Sequence, residues 1–159
     1  MPLGLLFCST LNSVFFEAAN IRVEDLNLRC EGTMNTALGI RYTELGADYL
    51  CAEMPVDERT IQPAGVLNGG ASLGLIETLG SMAANLTLNP ATHIAVGQSV
   101  ACNHLRPVFK GASVFAKSRP VHIGSTTQVW EVEISDEQGR RVCKGSITMA
   151  VVNKVRLRG

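Results

Sequence analysis

Between Gly65 and Leu86 the chain reads GVLNGGASLGLIETLGSMAANL, and Glu77 is its only charged residue. A carboxylate in such surroundings can take a proton from water or attack a carbonyl itself, the two ways an acid drives acyl transfer. Asn68 stands directly before Gly69-Gly70, and Asn is a strong helix N-cap. A helix starting there would present backbone N–H groups at its positive end, where they can hold the negative charge developing on a carbonyl oxygen. Asn-Gly-Gly alone is a weak signal. Its weight comes from the acid on the same helix.

The helix is expected from Gly69 to just before Asn89-Pro90. Three, four and seven positions from Glu77 lie Gly70, Leu73, Gly74, Gly80, Ser81 and Ala84. All but Leu73 are small, so a groove is expected around the carboxylate. Leu75, Leu79, Met82 and Leu86 form a second ridge that supplies core. Each interior glycine costs about 1 kcal/mol against alanine, and two explanations compete. Close packing of helix on sheet, with Glu77 a satisfied buried acid, is one. A carboxylate held in a cleft that admits substrate is the other, and it is favoured because Glu is so rarely buried without purpose.

The elements that must position this helix are mostly strands. VEDLNLRCEG reads as a short amphipathic helix stopped by Gly32. Ile40 to Val56 is a hairpin turning at Gly46-Ala47-Asp48, with Leu50, Ala52, Met54 and Val56 on one face. After the long helix come strands His93 to Val108, Ala112 to His122, the alternating TTQVWEVEIS, and Arg141 to Val152. Segregated strands around one apolar helix predict an α+β fold in which an antiparallel sheet wraps the helix. One wrapped helix leaves a face uncovered, which favours a dimer. Residues 1–22 are expected to be a poorly ordered extension or a flap, 23–153 the domain and 154–159 a tail.

Composition narrows the function. With 46% hydrophobic and 18% charged residues the chain is globular and not disordered. Lys+Arg and Asp+Glu balance at 14 each, which leaves no electrostatic footprint for nucleic acid or a membrane surface. No Lys or Arg precedes Arg22, so the basic region of a signal peptide is missing. The five cysteines (8, 30, 51, 102 and 143) are scattered. That argues against a disulfide framework or a metal site and suits the reducing cytoplasm.

The segment QPAGVLNGGASLGLIETLGSMAANL resembles the hotdog-fold acyl-CoA thioesterases, and MPVDERTIQPAG, CNHLRP, VHIGSTTQVWEVEISDEQGR and the final strand fit as well. The similarity runs from about Leu26 to Val152. It is nearest the branch with a catalytic glutamate, which acts on aromatic acyl-CoAs such as 1,4-dihydroxy-2-naphthoyl-CoA or 4-hydroxybenzoyl-CoA. The resemblance implies a homodimer, with dimers pairing into a homotetramer, active sites at subunit interfaces, and no cofactor or metal. It implies Glu77 as nucleophile or general base, with Gln62 and the Gly69 N–H of a neighbouring subunit holding the thioester carbonyl. Ser81 would position the attacking water; a hydroxyl bonded back to the helix carbonyl at position 77 is an equal alternative on chemistry alone. Gly97, His104, Leu105, Arg106, Pro107, His122, Gly124 and Ser125 would carry the acyl-CoA. Arg106 and Lys110 suit phosphates, and IGST is a turn with free backbone donors. Without the resemblance, a lone His on a strand such as His104 or His122 is more often structural.

Asn68 departs from the pattern, since most relatives have His-Gly-Gly there. Asn keeps the cap but cannot exchange protons near neutral pH. Two other functions compete with hydrolysis: hydration of an enoyl thioester, and non-catalytic acyl-CoA binding or sensing.

Overall fold

The structure is a computed structural model, and it describes Phe15 and residues 21–157. Two short helices, α1 (Val23–Arg29) and α2 (Met34–Leu38), precede the hairpin of β1 (Arg41–Leu45) and β2 (Leu50–Pro55). The long helix α3 (Gly69–Leu86) follows, then β3 (His93–His104), β4 (Ser113–Ile123), β5 (Thr127–Ser135) and β6 (Arg141–Asn153). The six strands form one antiparallel sheet in the order β1-β2-β4-β5-β6-β3. The sheet curls around α3. Leu75, Ile76, Leu79 and Ala83 of the helix are fully buried against Met54, Val114, Trp130, Val132, Ile147 and Met149 of the sheet.

The expected order of elements holds, with two additions, one of them a short 3-10 helix over Lys154–Leu157, and one shortening. MNTAL forms the extra helix α2, capped by the Thr33 side chain and stopped at Gly39 in the left-handed conformation. The strand expected over His93 to Val108 ends at His104. There the Leu105 and Arg106 N–H groups both turn onto the Val142 carbonyl. Of the expected N-terminal extension only Phe15, Ile21 and Arg22 are among the described residues; Phe15 is buried and stacks on Trp130 with ring centroids 6.1 Å apart, and Ile21 packs against the core.

The two edges of the sheet differ. On β1 the Asn27 side chain donates to the Tyr42 carbonyl and accepts from the Tyr42 N–H, both at 2.9 Å, so the amide serves as a strand residue and closes that edge. On β3, Asn85 makes the same pair of contacts with Ala95, again both at 2.9 Å. Beyond Ala95 the β3 edge pairs with nothing among the described residues, and Val96–Ser99 are exposed. A long open strand edge invites another chain.

Candidate active site

Asn68 caps α3 as expected, its Oδ1 accepting from the Gly70 N–H at 2.7 Å. The cap corrects the expectation that both glycines offer free donors: Gly70 is taken. Gly69, the first residue of the helix, keeps an N–H with no acceptor among the described residues. The Asn68 N–H is itself fixed on the Thr60 carbonyl at 2.8 Å. The cap therefore aims one donor outward and holds it there.

That donor opens on a hollow of about 360 Å³ lined by Gln62, Leu67, Gly69, Ser72, His104 and Arg106, with Leu105 and Pro107 at its rim. The His104 ring lies against Gly69, where a Cβ would come within 2.8 Å of Nε2 and push the ring aside. Arg106 is exposed and donates through Nη1 to the Arg141 carbonyl at 2.6 Å. Lys110, the other candidate for a phosphate, is instead paired with Glu58. A larger hollow of about 500 Å³ lies on the outer sheet face among Cys51, Phe115, Lys117 and Glu131. Its charges are engaged there, Glu131 with Lys144 and Lys117 over the Tyr49 ring, so size does not locate the site.

Glu77 is half-buried two turns along α3, and Ser81 donates to its Oε1 at 3.3 Å. The hydroxyl is thus bonded to the carboxylate itself, a contact that neither of the two expected roles named. The room for Glu77 comes from across the cleft: a Cβ on Gly97 of β3 would lie 2.2 Å from Oε1. This corrects the expected groove of helix glycines. Gly80 is packing space, since a Cβ there would stand 2.3 Å from Ile147 Cγ2, and Gly74 faces Leu38 and Met34 of α2. Gly97→Ala is therefore expected to displace the carboxylate and cost about 100-fold in kcat, the scale of a 1 Å misplacement. The displaced atom ends a flexible side chain, so the melting temperature should hardly move; steady-state rates beside a thermal melt check both.

Asn85 is a positioning residue the sequence analysis passed over. It donates to the Ser81 and Ala95 carbonyls and accepts from the Ala95 N–H, pinning β3 to α3 so that Gly97 faces Glu77. Its signal was present in the sequence: Glu77, Ser81 and Asn85 form a polar stripe at four-residue spacing on an apolar helix.

The expected residues fall into two groups. Gln62, Asn68, Gly69, His104, Leu105, Arg106 and Pro107 gather at the first turn of α3, whereas Glu77, Ser81 and Gly97 gather two turns on. Eight residues at 1.5 Å rise set Gly69 and Glu77 about 12 Å apart along the axis, too far to act on one carbonyl within one chain. His122 stands at the end of β4, and Gly124 and Ser125 occupy the β4–β5 turn, which the register sets level with Val96 through Thr127 and Ala150. His122 and Ser125 are exposed, and Gly124 leaves space for the His122 ring, where a Cβ would be 2.6 Å from Nε2. This turn belongs to the Glu77 end and is not part of the Gln62 hollow.

An antiparallel sheet of six strands wrapped around one long central helix is the hotdog architecture. The Thioesterase superfamily model matches residues 64–143, and the chain belongs to that family. Its relatives include the proofreading thioesterase EntH of Cronobacter turicensis, 47% identical over 133 residues that cover 84% of this chain and 96% of that one. Among solved structures, thioesterase HI1161 from Haemophilus influenzae superposes with a TM-score of 0.81 at 41% identity, covering 84% of this chain and 92% of that one. A mutant of thioesterase PA1618 from Pseudomonas aeruginosa superposes at 0.85 with 40% identity, covering 89% and 99%. The protein is a thioester hydrolase. No helix among the described residues is long and apolar enough to cross a membrane.

Proposed function

We propose that the enzyme hydrolyses an acyl-CoA, with an aromatic acyl group as the first candidate, in sites shared between two subunits. The observation that carries this reading is the Glu77 carboxylate, half-buried, held by Ser81 and set over a strand position with no side chain. Glu77 of one chain takes the proton of a water whose oxygen attacks the thioester carbonyl carbon. The oxygen left negative is held by Gly69 N–H and Gln62 of the partner subunit. The carbonyl re-forms as the C–S bond breaks, and coenzyme A leaves as a thiolate. Direct attack by Glu77 would give an anhydride that water then opens; both routes use the same geometry.

The unpaired β3 edge supports the dimer. Two copies paired antiparallel about the middle of β3 set the Gly97 end of one beside the His104 end of the other. The Gly69 hollow of one chain then meets Glu77 of its partner. Exposed Val96 and Leu105 would be covered in the same step. Pairing of such dimers into tetramers, a cytoplasmic location and a role in menaquinone biosynthesis remain part of the proposal by resemblance.

Release of free thiol from a panel of aromatic and aliphatic acyl-CoAs tests the reading. Rapid hydrolysis of aromatic members supports it, whereas binding of coenzyme A with no turnover of any member would turn it to a sensing protein, and turnover of an enoyl-CoA by hydration to a hydratase. The name of the Cronobacter relative, a proofreading thioesterase, supports a second reading in which misplaced acyl groups are removed and several are accepted; comparable rates across the panel would favour it.

Asn68 fits this mechanism as a cap and needs no proton exchange. Asn68→His is expected to change kcat/KM by less than about tenfold, under 1.4 kcal/mol. Asn68→Ala should lower stability by about 1 kcal/mol, read by denaturant unfolding. Activity that appears only in Asn68→His would overturn the cap-only role.

A further inference from the structure

The cysteines looked scattered in sequence, but the sheet gathers two of them with a histidine. Cys102 and His104 sit two apart on β3 and so share a face. In the register His104 lies opposite Cys143, and Cys102 opposite Gly145. Gly145 lets the strands and Ile76 pack closely beside the cluster: a Cβ there would come 2.5 Å from the Ala101 carbonyl oxygen, 2.7 Å from Cys102 Cβ and 2.8 Å from Ile76 Cδ1. The ligand atoms of Cys102, His104 and Cys143 all lie within 4.8 Å of one another.

We propose that Cys102, His104 and Cys143 form a binding site for a thiophilic divalent cation of the Zn²⁺ class, and that its occupation shuts the acyl-thioester pocket. The geometry suits that ion. Zn–S and Zn–N bonds of about 2.3 and 2.0 Å at the tetrahedral angle separate sulfur from nitrogen by about 3.6 Å. Cys102 Sγ and His104 Nε2 are 3.5 Å apart. Two sulfurs on such an ion stand about 3.8 Å apart, and the ligand atoms lie within 4.8 Å of one another, so Cys143 needs to close by little more than an ångström. Two thiolates balance the charge of the ion, so the complex is neutral and the positive end of α3 does not repel it. Three protein ligands leave the fourth position of a tetrahedron to solvent or a substrate thiol.

Of the three ligands, His104 lines the hollow at the start of α3, and its Nε2 faces Gly69. An ion bound there ties down the His104 ring beside the donor that the proposed mechanism gives to the thioester carbonyl. Inhibition therefore rests on that reading of the pocket, whereas binding of the ion does not. The ion is no part of the hydrolytic chemistry. It is a brake.

Cobalt(II), added to the reduced full-length protein, tests the binding directly, because thiolate ligation gives an absorbance band that nitrogen and oxygen ligands do not. One cobalt per chain is expected with that band, displaced by zinc. Zinc should stop thioester hydrolysis, and a chelator should restore it. Cys102→Ala, at a half-exposed position outside the catalytic machinery, should keep its metal-free turnover and bind zinc at least 10- to 100-fold more weakly, the range lost with even an outer partner of a metal ligand. His104→Asn should lose the same band, read by absorbance and not by turnover. No thiolate band in the wild type, or equal cobalt affinity in Cys102→Ala, overturns the site. Cobalt and zinc that bind with the band while hydrolysis is unaffected overturn the brake and leave the thioesterase reading standing; no hydrolysis with or without metal would instead count against that reading.

Discussion

Glu77→Ala is expected to lose about 1,000-fold or more in kcat/KM and to keep its fold. A positioned general base is worth about 10² to 10⁴, and loss of an attacking carboxylate costs at least as much. Stability should be nearly untouched for three reasons. Alanine is the best helix former, Glu77 is only half-buried, and its one side-chain partner among the described residues is Ser81 at 3.3 Å. The Ser81 hydroxyl keeps its contact with Met149 Sδ at 3.7 Å, and losing the carboxylate acceptor costs about 1 kcal/mol in a site open to water. Glu77→Gln separates charge from shape: the amide fills the same space over Gly97 and still accepts from Ser81, but it takes no proton and does not attack. Both variants should therefore fail alike. Thiol release and a thermal melt measured on each decide it. A folded Glu77→Ala enzyme with wild-type turnover would refute the role of the acid, and a Glu77→Gln enzyme with appreciable turnover would reduce it to space-filling.

The fold was legible because local and long-range signals agree in this chain. Alternation in β2 and β5 places Leu50, Ala52 and Met54, then Trp130, Val132 and Ile134, on the buried face. The Asn68 cap and the Thr87–Pro90 exit set the ends of α3. The sheet order was not legible, because nothing local tells β3 that it will lie outside β6. That order is what creates the Cys102–His104–Cys143 cluster and the open edge. The site was legible in its residues and not in its shape. Glu77 and Ser81 stand at helical spacing, so their contact follows from sequence. Gly97 is twenty residues further on, and its place opposite Glu77 depends on the run of β3 antiparallel to α3. For the same reason the helix glycines were misjudged. Small residues on one helix face mean close approach, and whether a strand or a substrate approaches is decided by the partner surface. Ile147 fills the space at Gly80.

The 12 Å along α3 between Gly69 and Glu77 makes the last prediction the most severe test of a shared site. In the proposed shared site Gln62→Ala removes an oxyanion donor and should cost about 10²- to 10³-fold, while Glu77→Ala removes the proposed acid. Neither homodimer should turn over appreciably. In a mixed dimer of the two variants, one site takes Glu77 from the Gln62→Ala chain and Gln62 from the Glu77→Ala chain, so it is whole. The other site carries both defects. Two-fold symmetry then predicts recovery to about half the wild-type rate per dimer. If each chain instead used its own Glu77 and Gln62, every site in the mixture would keep one defect and mixing would restore nothing. Differently tagged chains, co-expressed and purified on both tags, give the mixed dimer directly. The β3 edge supplies the reason to expect recovery: only a second copy laid antiparallel along Val96–His104 can bring a free Gly69 N–H to the acid that Ser81 holds over Gly97. Placing a charge in that edge, as in Val96→Asp, should accordingly abolish both the dimer in gel filtration and the recovered activity, while each chain keeps its own core of Leu75, Leu79 and Trp130.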